Sequence, residues 1–271
     1  MKSTIVETSL GNINIRISGQ GPAMVCWPSL LMTGLMWAGQ AKHFSSSFQV
    51  ILIDPPGQGL SDRLNTVFTL EECARCLSEI LQALKISECV LLGNSWGGMM
   101  GGVFTALFPQ QIRAAILMNC TASVASDSQK RAYSETIKLL RNSDVYPQSL
   151  IEQSVKAFAG KTTELKKPDV INQIRETISK VDPQSVSWAI ESVVPRRTDQ
   201  HALLKNIRKP VLLIAGEEDR TFSVVETKRM ADVIPHSVFH VLPKVGHLAA
   251  LESPDVVNDE IDKFLARVLN F

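Results

Sequence analysis

Residues Gly93-Asn94-Ser95-Trp96-Gly97 directly follow the apolar run Cys89-Val90-Leu91-Leu92. A G-x-S-x-G spacing places its serine at the apex of a sharp strand-to-helix turn, with the hydroxyl facing open space. Glycines two residues before and after the apex avoid side-chain collisions across that turn. A serine held this way is a candidate nucleophile, and a nucleophilic serine requires a base, an orienting acid and an oxyanion site. The pentapeptide alone also fits a glycine-rich loop between two buried elements. Its context favours the first reading. The following Gly97-Gly98-Met99-Met100-Gly101-Gly102-Val103-Phe104 puts four glycines into an apolar helix. Each is about 1 kcal/mol worse than Ala in a helix, a cost that makes sense where the helix must lie very close to a sheet.

Histidine is the usual base near neutral pH. His43 and His236 fall near helix-to-strand junctions, His240 within a strand-like run and His201 in a stretch without strands. His247 differs, because Lys244-Val245-Gly246-His247-Leu248 reads as a loop just past the last apolar strand. Loops beyond the C-terminal ends of strands are where open α/β sheets gather their chemistry. The orienting carboxylate must come from a similar loop. Gly216-Glu217-Glu218-Asp219-Arg220 follows another apolar run, and any of its three acids could serve. Asp219 is favoured, since one turn beyond Gly216 a short side chain can reach over the strand end; Glu217 and Glu218 are then expected in solvent. Asn119-Cys120-Thr121 holds no acid, which removes one alternative position.

The elements that would position these groups follow from apolar pattern and punctuation. Strands are expected around Thr4–Leu10 and Asn12–Ser18, joined at Gly11-Asn12, then at Ala23–Trp27, Phe48–Asp54, Cys89–Leu92, Ala114–Asn119, Pro210–Ala215 and Ser237–Leu242. Helix starts are marked by Thr69 with Glu72, by Ser223 with Glu226 and by Ser253-Pro254. Continuous aliphatic strands alternating with helices predict a mostly parallel sheet covered on both faces. The rhythm breaks between Ala122 and Asn206. That stretch has helix starts at Ser126 with Gln129, at Pro147, at Pro168 and at Asp182-Pro183, but no convincing strand. It reads as an all-helical cap over residues 123–206, inserted between the sixth and seventh strands of a core formed by 1–122 and 207–271.

Composition narrows the function classes. A chain of 271 residues with 45% hydrophobic and 20% charged residues can bury a large core. The net charge is +1 with acids and bases interspersed, so no basic stripe points to nucleic acid or an anionic membrane. No apolar run of about 18 residues could span a bilayer, and Met1–Glu7 lacks an apolar signal core. The expected setting is the cytoplasm, as a monomer or homodimer acting on a small molecule. The cysteines Cys26, Cys73, Cys76, Cys89 and Cys120 lie in apolar segments. Cys73 and Cys76 share helical spacing with Leu70, Leu77, Ile80 and Leu84, so their C-x-x-C reads as buried small apolar residues. No second Cys/His pair completes a zinc site, and no metal or cofactor is expected.

The chain order Ser95, Asp219, His247 is that of α/β-hydrolases. The whole chain resembles that superfamily, with a helical cap. The resemblance rests on Asp54-Pro55-Pro56-Gly57-Gln58-Gly59-Leu60-Ser61-Asp62, the Ser95 pentapeptide with Gly98, Gly216-Glu217-Glu218-Asp219, and Gly246 to Pro254. The stretch Ile190–Ile214, with Pro195-Arg196-Arg197-Thr198-Asp199, looks most like the branch of 3-oxoadipate enol-lactonases and cofactor-free haloperoxidase-type esterases. The resemblance implies an eight-stranded α/β-hydrolase sheet and hydrolysis of a small carboxylic ester or lactone through an acyl-enzyme. His247 would take the proton from Ser95, and Asp219 would hold the imidazole. The N–H of Trp96 would hold the oxyanion, a contribution of about 2.7–4 kcal/mol per donor.

A second oxyanion donor is expected in the loop after the third strand, and there the chain departs from the family. Most members carry His-Gly before the donor. Alignment back from Trp37 gives Pro28-Ser29-Leu30, with Leu30 as the donor and Ser29 obliged to adopt a glycine-like backbone. Either the loop has drifted and still presents its N–H, or Ser29 reaches the substrate. Trp27, Leu31, Met32 and Trp96 would make the pocket apolar, or could equally be core filler. Two other functions share this fold. A C–C bond hydrolase of ring-cleavage products usually has an aromatic residue after the triad histidine, where this chain has Leu248. A non-catalytic ligand receptor would not need the intact triad. Haloalkane dehalogenase chemistry needs a carboxylate where Ser95 stands.

Overall fold

The computed structural model describes residues 1–269; the last two residues of the expected 207–271 core segment lie outside the described residues. Eight strands form one sheet: β1 Lys2–Thr8, β2 Gly11–Ser18, β3 Ala23–Trp27, β4 Gln49–Ile53, β5 Cys89–Asn94, β6 Ile112–Met118, β7 Val211–Gly216 and β8 Val238–Leu242. Their spatial order is β1-β2-β4-β3-β5-β6-β7-β8. β1 and β2 form an antiparallel hairpin that joins β4 antiparallel, and every pairing from β4 to β8 is parallel. The first turn lies at Ser9-Leu10 rather than Gly11-Asn12: Gly11 takes φ 97° and already pairs with Thr8.

The parallel strands β3, β5 and β7 are buried along their whole lengths, and β6 at every position but Arg113. That is why their sequences read as continuous aliphatic runs instead of alternating ones. Helices α1 Ala38–Phe44, α2 Leu70–Ala83 and α3 Trp96–Leu107 follow β3, β4 and β5, and α10 Val224–Val233, α11 Ala249–Glu252 and α12 Pro254–Val268 close the chain. Thr69 caps α2 through a capping box with Glu72, as the spacing requires.

Between β6 and β7 lie only helices among the described residues: α4 Asp127–Arg141, α5 Gln148–Phe158, α6 Lys161–Lys166, α7 Pro168–Ser179, α8 Pro183–Val193 and α9 His201–Leu204. Ser126 forms a capping box with Gln129, and the Asp182 side chain accepts the Ser185 N–H. The segment's two ends meet where Gln200 N–H donates to Ala122 O at 2.8 Å. α9 then returns to the core, where Leu204 lies against Gly102.

The chain runs from β3 to β4 on one side and then to β5 on the other, so the loops after β3 and β5 part in opposite directions. Crevices at such reversals hold the ligand sites of open α/β sheets. Here the loops after β3, β5, β6, β7 and β8 all open at the same edge.

Candidate active site

Ser95 adopts φ 55° and ψ −111°, a region that non-glycine residues rarely occupy. The surrounding backbone forces it there. A Cβ on Gly93 would sit 2.1 Å from Gly97 O, and one on Gly97 would sit 2.1 Å from Trp27 O. Further along α3, a Cβ on Gly98 would meet Cys120 at 2.7 Å and one on Gly101 would meet Leu117 at 2.7 Å. The glycines let α3 lie directly against the sheet, as their number in an apolar helix suggests. The five cysteines are buried and free, and burial pushes every thiol well up, so none is a ready thiolate.

Ser95 and His247 line one cavity of about 210 Å³. The imidazole is fully buried, and its Nδ1 lies 2.9 Å from Asp219 Oδ2, whose side chain is also fully buried. Its Nε2 is buried with no hydrogen-bond partner among the described residues. Catalytic contacts are often loose until substrate binds. Asp219 Oδ1 accepts the N–H groups of Thr221 and Phe222 at 2.7 and 3.0 Å. Burial pushes the Asp219 carboxyl upward, but the facing His247 and the bonds from His247, Asn119 and Phe222 outweigh it and hold it below its ordinary value. Of the three candidate acids, Asp219 is the one that reaches the imidazole. Glu217 is exposed and accepts the Lys244 N–H at 3.2 Å. Glu218 is not simply in solvent, because it accepts both the N–H and the hydroxyl of Thr162, at 2.6 and 2.7 Å.

The strand-free segment grips the histidine. His247 N–H donates to Phe158 O at 2.9 Å, and the Phe158 and Phe222 rings lie 5.3 and 5.7 Å from the imidazole. Gly246 packs so closely on Gly160 that a Cβ there would stand 2.1 Å from Gly160 N. Buried Glu252 accepts three N–H groups, from Gly160, Gly246 and Leu248, at 2.9, 3.1 and 3.0 Å. It ties α5–α6, the histidine loop and α11 into one unit.

Two asparagines complete the frame, and sequence reasoning passed over both. Asn119, at φ 50° after β6, donates through Nδ2 to Asp219 Oδ2 at 2.8 Å and to Gly246 O at 3.0 Å. The loop that holds no acid therefore holds the acid's partner. Asn94, just before the serine, donates to His247 O at 2.9 Å and to Ser29 Oγ at 2.8 Å. The only available signal was a polar residue at the end of an apolar strand.

That last bond corrects the reading of the loop after β3. Ser29 is fully buried, turns its hydroxyl to Asn94, and does not line the cavity; nor does buried Met32. Trp27 and Trp96 are likewise buried in the core, 5.9 Å apart edge to face, off the cavity wall. Leu31 does line it, and Leu31, not Ser29, has the left-handed backbone, with φ 66°. Leu30 lines the same cavity. The Trp96 N–H lies in the first turn of α3, where helix donors have no partner within the helix.

Asp54 explains another quoted motif. Its carboxylate is fully buried, pairs with Arg16 at 2.7 Å and accepts from Asn14 Nδ2, Gly34 N–H and Leu60 N–H. It pins the loops after β3 and β4 and takes no part in the cavity.

The family model for the alpha/beta hydrolase fold matches residues 22–254. The chain belongs to this family. It is 23% identical over 257 residues to 3-oxoadipate enol-lactonase 2 of Acinetobacter baylyi, covering 94% of this chain and 93% of that one. It is 27% identical over 260 residues to a 2-hydroxy-6-oxononadienedioate/2-hydroxy-6-oxononatrienedioate hydrolase of Escherichia coli, covering 93% and 86%. Among solved structures, an esterase from Thermogutta terrifontis superposes with a TM-score of 0.91 at 26% identity, over 99% of both chains. Among the described residues no helix is long and apolar enough to cross a membrane.

Proposed function

We propose that the protein is a serine hydrolase that cleaves a small carboxylic ester or lactone through an acyl-enzyme. One observation carries the reading. His247 is anchored at Nδ1 by Asp219 and leaves a buried, unpaired Nε2 in the same cavity as a strained serine. His247 Nε2 accepts the Ser95 proton as Oγ attacks the acyl carbon, and the N–H groups of Leu30 and Trp96 hold the oxyanion. The imidazolium returns the proton to the leaving oxygen. Water, deprotonated by the same nitrogen, then attacks the acyl-enzyme and releases the carboxylic acid. Asp219 keeps the imidazole in the tautomer that presents Nε2 and stabilises its charge. Residues 123–206 act as the cap: they roof the cavity with Tyr133, Tyr146, Phe158 and Ile190.

Relatives named as esterase, 3-oxoadipate enol-lactonase and 2-hydroxy-6-oxononadienedioate hydrolase support hydrolysis in general. The test is a fluorophosphonate probe with a graded panel of p-nitrophenyl esters and lactones. Labelling at Ser95 and a burst of p-nitrophenol are expected, both lost in Ser95→Ala. Purified protein that neither labels nor turns over any ester refutes the reading.

A further inference from the structure

Gln129 and Ala132 on α4 and Gln153 on α5 line the cavity and are exposed, so its mouth runs between these two helices. The two are held very differently. The last carbonyls of a helix have no partner within it, and three successive ones in α5 are taken by the loops that carry Asp219 and His247. Lys156 O accepts from Arg220 Nη1 at 2.9 Å, Ala157 O from the Thr221 hydroxyl at 3.2 Å and Phe158 O from the His247 N–H at 2.9 Å. Any movement of α5 would therefore drag both loops with it.

α4 is held at one end only. Its buried residues, Ile137 and Leu140, both lie in its second half. That half is also pinned to α8: Arg141 pairs with Glu191, donates to Ser187 Oγ at 3.4 Å and lies 3.8 Å over the Trp188 ring. From Ser126 to Thr136 no residue is buried. Among the described residues, the side-chain hydrogen bonds of that stretch all stay within α4 and its cap. Tyr133 is its one hydrophobic side chain packed against the core, and it lines the cavity. Segments with so few buried contacts open locally at a small fraction of the global unfolding free energy.

We propose that residues 126–136 of α4 are the gate of the cavity: they move away from the core to admit substrate while α5 stays bonded to the Asp219 and His247 loops, and Tyr133 sets how bulky a substrate is admitted. The segment between β6 and β7 then does not lift as one body, and the imidazole keeps its place while the mouth opens. The substrate part rests on the hydrolase reading above; the motion does not.

The test is amide hydrogen exchange of the intact protein, Ser134→Gly and Ser134→Ala, beside ester turnover by the same proteins. Ser134 is exposed, lies off the cavity wall and bonds only Lys130 O. Amides of 126–136 should exchange about tenfold or more faster than those of 148–158. The Gly–Ala gap in helix propensity should make exchange of 126–136 about fivefold faster in Ser134→Gly than in Ser134→Ala, with 148–158 unchanged. For p-nitrophenyl octanoate, kcat/KM should follow the same order by a similar factor, whereas methyl acetate, small enough for the standing mouth, should not respond. Tyr133→Ala should raise the octanoate-to-acetate ratio about tenfold; an unchanged ratio removes Tyr133 from the proposal. A tyrosine that only walls the cavity would shift that ratio and leave the Ser134 pair equal, which overturns the gate. Equal exchange in α4 and α5 overturns it too. Should Tyr133→Ala fail to fold, the Ser134 pair decides. The exchange contrast without turnover of any ester would refute the hydrolase reading alone; turnover with equal exchange would refute the gate alone.

Discussion

The serine and the histidine of this site are held in different ways. Ser95 is fixed by the sheet itself: β5 ends, α3 begins, and the lack of room for a Cβ at Gly93 or Gly97, which would meet a carbonyl oxygen at 2.1 Å, leaves the backbone one course. His247 sits in a loop whose position depends on partners remote in sequence: Phe158, Gly160, Asn94 and Asn119. One side is built by local geometry and the other by the strand-free insertion clasping the core. Moving Ser95 therefore requires disturbing the fold, whereas moving His247 requires only loosening a clasp. In this family member the helical segment holds His247 as well as walling the cavity.

The largest effects test the chemistry on each side. Ser95→Ala should lower kcat on the order of 10⁶-fold, with the elbow backbone, and hence the denaturant midpoint, little changed. Asp219→Asn should lower kcat about 10⁴-fold, because the amide cannot hold the required tautomer. It also has a pH signature. The Asp219 carboxyl lies below its ordinary value in the folded protein. It therefore contributes stability that is fully present above about pH 4, the unfolded carboxylate range, and is lost as pH falls through the folded value. Thermal midpoints measured from pH 6 down to 3 should fall less steeply in Asp219→Asn than in the parent.

Two alanine substitutions separate the sides directly. Gly97→Ala drives a Cβ to 2.1 Å from the Trp27 carbonyl, inside the core. It should cost about 3 kcal/mol of global stability, read as a shifted urea midpoint. Gly246→Ala meets Gly160 N at the same distance, but in the clasp. There the loop can yield. A displacement near 1 Å at the base should cost about 10²-fold in kcat/KM, with at most about 1 kcal/mol of stability. If Gly246→Ala instead unfolds the protein as Gly97→Ala does, the contrast between the sides is wrong.

The same contrast explains what could be read from the sequence. The sheet, the elbow, the helix caps at Thr69, Ser126, Asp182 and Ser223, and the helical run before Val211 were legible because each is written in neighbouring residues. Asp219 and His247 were legible as residues in the right loops. The clasp was not. Glu252, Asn94 and Asn119 act across 92, 153 and 100 residues of chain, respectively, and no local pattern records such pairings. Which of the two readings of Ser29 holds is hidden for the same reason: its partner lies 65 residues away.

Ser29 offers the smallest and sharpest test of how the two sides communicate. Asn94 donates to Ser29 Oγ and to His247 O from one nitrogen, so the loop after β3 and the histidine loop share a single amide behind the nucleophile. Ser29→Ala removes one acceptor from a fully buried donor, which should cost about 1 kcal/mol and lower the thermal midpoint by a few degrees. If Asn94 serves only to brace the loop after β3, then Asn94→Ala after Ser29→Ala should add almost nothing. If it also braces His247, the second substitution should still lower kcat/KM. A double-mutant cycle over Ser29 and Asn94, read in both stability and kcat/KM, separates the cases. The geometry predicts coupling of about 1 kcal/mol in stability and an Asn94→Ala activity loss that persists in the Ser29→Ala background.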